Sequence, residues 1–96
     1  MLNRRKRPYA RFQSLVKERG NRLRKLAYEQ LKRINEPTEW LTIESRPARI
    51  ATMVQSLPSD GLRVVVQGFI KVRLVPMVYQ VSLDGFYKYP DETMAP

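Results

Sequence analysis

Arg4, Arg5, Lys6 and Arg7 form an unbroken basic run. The chemistry open to such a run is charge-assisted hydrogen bonding to phosphate oxygens. Arg11, Lys17, Arg22, Arg24, Lys25 and Lys32 can do the same from the segment that follows, and together these ten side chains are the candidate nucleic-acid-binding residues. Residues 1–36 hold 12 basic and 3 acidic side chains, whereas residues 37–96 hold six of each. The net charge of +9 therefore belongs to the first third of the chain. Like-charge repulsion gives folding nothing, so the concentration points to an anionic partner, RNA or DNA, bound without sequence preference. A solvated, solubilising face is the plainer alternative.

Two further clusters mix aromatic and basic residues. Phe86, Tyr87, Lys88 and Tyr89 are one; Val65 and Phe69 flanked by Arg63, Lys71 and Arg73 are the other. Nucleobases stack on such surfaces, although ordinary strand packing accounts for the same residue types. Catalysis has little to draw on. The chain has no Cys and no His, which removes the thiolate nucleophile, the commonest general base and the usual zinc ligands. Its nine carboxylates are scattered; Asp84 beside Gly85 is the most site-like, and a turn explains it. Gly61, Gly68 and Gly85 are isolated and make no phosphate loop, and the four Met are dispersed. A non-catalytic binding domain without metal or cofactor is expected.

These residues need elements to position them. Tyr9, Phe12, Leu15, Val16, Leu23, Leu26, Ala27, Leu31 and Ile34 follow three-and-four spacing and predict one amphipathic helix over residues 9–34. Gly20 and Asn21 mark a weak point, but Val16 and Leu23 are one heptad apart and keep the apolar phase. Residues 1–8 read as a basic disordered arm, with Pro8 suited to a first helical turn. A 26-residue helix would be about 39 Å long against about 20–23 Å for ordinary strands. Its N-terminal half is expected to overhang the sheet, leaving Tyr9, Phe12, Leu15 and Val16 as a partner-binding stripe for a second copy or another protein. Such a protein-interaction module is the alternative to the nucleic-acid reading.

After Pro37 the period changes to two. Leu62, Val64, Val66, Ile70 and Val72 define the buried face of one strand. Tyr79, Val81 and Leu83 suggest the same for the next, and Asp84–Gly85 suggests a bulge before Phe86–Tyr89. Trp40 to Glu44 forms a short first strand, and Pro58–Gly61 a tight turn. Residues 47–57 fit a strand, with a helix as the alternative. The expected fold class is α+β, a single domain with one long helix on an antiparallel sheet of about four strands spanning residues 39–89. No apolar run exceeds three residues, so no integral membrane segment is expected. No apolar stretch follows the basic start, so it does not read as a secretory signal. Its Arg-rich amphipathic character superficially resembles a mitochondrial presequence, but it runs straight into the domain, and a cytoplasmic location is the default.

Overall fold

The computed structural model describes residues 7–72 and 77–96. Helix α1 (Arg7–Arg24) and the single-turn helix α2 (Tyr28–Lys32) precede strands β1 (Glu39–Ile43), β2 (Arg46–Ser56), β3 (Leu62–Lys71), β4 (Tyr79–Lys88) and β5 (Met94–Ala95). The strands pair in chain order, all antiparallel, so the fold is α+β with a helix on one face of a five-stranded meander. The fifth strand is two residues that pair with Tyr87 and Lys88.

One continuous helix over 9–34 does not form. The helix already includes Arg7 and Pro8, within the expected arm, and stops at Arg24; Arg4, Arg5 and Lys6 lie outside the described residues. The interruption falls at Lys25–Ala27, where the amides of Lys25 and Leu26 donate to the carbonyls three residues back and Ala27 turns extended (φ −70°, ψ 157°). The restart is held from both sides. The Gln30 side chain accepts from the Ala27 amide at 2.8 Å, and the Glu92 carboxylate accepts from the Tyr28 amide at 3.1 Å. Leu23 and Leu31 both remain fully buried, so the break preserves the apolar phase.

Gly20 is not the weak point because it serves a close approach. A Cβ there would collide with the Asp84 carboxylate. On the opposite layer, a Cβ on Gly68 would lie 2.5 Å from a Val16 methyl and 2.7 Å from the Phe12 ring. These two missing side chains let α1 settle onto β3 and β4.

The overhang is overturned. At 18 residues α1 is about 27 Å long, while β3, at ten residues, extends about 33 Å. Phe12 and Val16 are completely buried, and Tyr9 and Leu15 are half-buried against the core. The core joins Phe12, Val16, Leu23, Tyr28 and Leu31 to Ile43, Ala48, Ile50, Leu62, Val64, Val66, Ile70 and Phe86.

Residues 46–56 are strand, with Ala48 and Ile50 inward, so the helical alternative falls. β1 and β2 are joined by Glu44 and Ser45 alone, both at positive φ (48° and 68°), the backbone pattern that matches strand twist in two-residue hairpins. The face of β4 is also corrected. Val66 lies opposite Asp84 and Ile70 opposite Gln80, so the inward positions are Gln80, Ser82, Asp84, Phe86 and Lys88. Tyr79, Val81 and Leu83 point away from the helix and are about half exposed or more. Pairing continues without interruption through Asp84 and Gly85, so neither bulge nor turn occurs there.

Candidate nucleic-acid interface

The charges separated in sequence meet in space. Helix α1 carries six cationic side chains, four of which pair with carboxylates supplied by later segments. Arg7 reaches Glu44 in the β1–β2 loop at 2.6 Å. Arg19 pairs with Glu39 and lies 3.6 Å from Glu36, which also accepts from Arg22 at 2.8 Å. Arg24 forms a fork with both Asp84 oxygens, at 2.7 and 2.8 Å, donates to the Gly85 carbonyl, and lies 5.0 Å from the Phe86 ring centroid. Three candidates, Arg7, Arg22 and Arg24, are thus engaged within the fold.

Arg11, Lys17, Lys25 and Lys32 are different. All four are exposed, and among the described residues none forms an ion pair. Lys32 lies 5.9 Å from the Tyr28 ring. Arg33, absent from the sequence-based set, is likewise exposed without an ion pair among the described residues. Its place in the same basic segment was the available signal.

The Arg24–Asp84 pair ties helix to sheet. The hydrogen bonds from Arg24 hold the Asp84 carboxyl below its ordinary value, against a desolvation that acts the other way. Only 18% of the Asp84 side chain is exposed. A depressed folded-state pKa gives stability that is present above the unfolded carboxylate value, roughly pH 4, and is lost as pH falls through the folded value. Asp84→Asn is therefore expected to cost about 1–3 kcal/mol at neutral pH. Its melting temperature should approach that of the parent chain as both are acidified below about pH 4. A constant gap between the two melts down to pH 2 would show that the pair makes no such contribution.

The cluster Phe86–Tyr89 is not brought together as one patch. Phe86 and Lys88 point inward and are buried, Lys88 pairing with Glu92 at 3.0 Å, while Tyr87 points outward. A different aromatic and basic surface appears on the sheet face away from α1. One row runs across four strands as Trp40, Arg49, Phe69 and Val81. Arg49 lies 4.5 Å from the Phe69 ring centroid and 5.7 Å from that of Trp40. Arg63 and Lys71 occupy the same face of β3, opposite Tyr87 and Tyr79, with Met53, Val65 and Leu83 between. Among the described strand positions, no carboxylate points to this side. Arg73 lies outside the described residues.

Val65, Phe69, Arg63 and Lys71 were visible in the alternation of β3, but Trp40, Arg49 and Tyr79 were not assigned to their surface. Only the register places them there. Among the described residues, no group of three potential metal ligands comes together and no helix is long and apolar enough to cross a membrane. Comparisons with protein-family models, curated proteins and solved structures found no match.

Proposed function

We propose that this chain is a non-catalytic nucleic-acid-binding domain whose N-terminal helical segment engages phosphates without sequence preference. The observation that carries the proposal is the residue of charge left after internal pairing. Arg11, Lys17, Lys25, Lys32 and Arg33 stay exposed and without an ion pair among the described residues, although Glu36, Glu39, Glu44 and Asp84 are all engaged by other helix cations. Cations left over in this way have counterions to release to a polyanion. A protein partner seated on Tyr9, Phe12, Leu15 and Val16 has less to support it, since this stripe is turned to the sheet.

The test is fluorescence anisotropy with mixed RNA and duplex DNA at several salt concentrations. Arg11→Glu, Lys17→Glu and Lys25→Glu combined should weaken binding at least tenfold near physiological salt. For duplex DNA the log–log salt slope should flatten by about 0.9 per contact removed. Arg22 is left intact because its reversal would also break the pair with Glu36. Absence of micromolar binding, or affinity indifferent to the triple reversal, would refute the proposal.

A further inference from the structure

We infer that the open face of the sheet is a stacking platform for single-stranded nucleic acid. This inference rests on the nucleic-acid reading above and adds the strandedness of the ligand and the surface that recognises it. Four aromatic residues, Trp40, Phe69, Tyr79 and Tyr87, share the face with Arg49, Arg63 and Lys71. Trp40 is 72% exposed and Tyr79 50%, a large aromatic area to leave in water.

The occupant follows from charge. Three cations with no carboxylate among the described outward strand positions disfavour a second copy laid face to face, since like charges would meet. They suit a polyanion. The aromatics then distinguish among polyanions, because a duplex keeps its bases stacked on one another, whereas a single strand offers each base a free π-face. Trp40, Pro47, Arg49, Phe69 and Tyr79 line a depression of about 290 Å³, which is large enough for a nucleobase. Strands lie about 4.8 Å apart, so Trp40 and Phe69, two strands apart, present rings about 10 Å from each other. Arg49 sits between them, its guanidinium against both rings. A base on Trp40 thus brings its phosphate beside a cation that is already positioned.

Trp40 is the sole Trp of the chain, so its emission reports on this face alone. Titration of the full chain with a twelve-nucleotide oligo-dT should quench that emission, and a duplex of the same length should not. By anisotropy, Trp40→Ala and Phe69→Leu should each weaken oligo-dT binding about tenfold and leave duplex binding unchanged. Trp40→Ala keeps the test sound if Phe69→Leu disturbs folding, because Trp40 lies at an exposed position on an edge strand.

The two proposals fail differently. Duplex and oligo-dT binding with no quenching, lost on helix charge reversal, overturns the platform and supports the helix. Quenching by oligo-dT that survives helix reversal supports the platform and overturns the helix. No binding of either polymer overturns both. Equal quenching by poly-glutamate would assign the face to an acidic protein segment, and a concentration-dependent emission shift without ligand would assign it to a second copy; either result overturns the platform.

Discussion

Val64→Asp and Val66→Asp are each expected to abolish the cooperative thermal melt, while Arg63→Asp leaves it nearly intact. Val64 is fully buried and Val66 almost so, both beneath α1 in the centre of the five-stranded sheet. A carboxylate there has no cation opposite it, because the facing residues are Val54, Phe86, Thr52 and Asp84. An unpaired buried charge costs several kcal/mol, a large share of the roughly 5–15 kcal/mol that holds a domain together. Arg63 differs by one position and by the whole thickness of the sheet, being exposed between Gln55 and Tyr87. Far-UV circular dichroism through a thermal ramp checks the contrast. Equal loss in Arg63→Asp and Val64→Asp would mean that the faces of β3 are exchanged.

The second large effect is at the start of α1. Phe12→Ala should lower stability by about 3–5 kcal/mol, and deletion of residues 1–15 should remove cooperative unfolding altogether. Phe12 is fully buried against Gly68 and belongs to the same core as Val64 and Ile70. Gly68, which faces the ring, has no side chain to fill the vacated space. Urea denaturation followed by circular dichroism measures the first, and a persistent sharp transition in the truncated chain would contradict the second.

Much of the sheet was legible in sequence because β3 alternates cleanly and Pro58–Gly61 carries turn chemistry. The first helix was legible as a stripe. Its end was not, since Lys25–Ala27 contains neither Gly nor Pro and the restart is held partly by Glu92, 64 residues beyond Tyr28. β4 misled for a physical reason. Its more hydrophobic alternate positions, Tyr79, Val81 and Leu83, lie outward, while Asp84 is accepted inward because Arg24 meets it there. Hydropathy cannot reveal that a polar side chain has found its partner 60 residues away. The candidate cations were equally visible as residue types, but sequence distance hid which were engaged. Arg24 and Lys25 are neighbours in the chain, yet one is clamped to the sheet and the other stands in solvent.

The glycines at 20 and 68 bear on how this chain can change over generations. Each is a notch cut in one layer to receive bulk from the other: Gly20 receives the Asp84 carboxylate, and Gly68 receives Phe12 and Val16. Volume at these places is held jointly, so a lineage that acquires a methyl at 68 must surrender one at 12 or 16 to keep the layers at the same height. Asp84 is bound twice over, by the notch at 20 and by the guanidinium at 24, so these three positions should be inherited or exchanged as a set. Solvent-facing positions without a proposed role, such as Gln13 and Glu18, carry no such obligation and can drift one at a time.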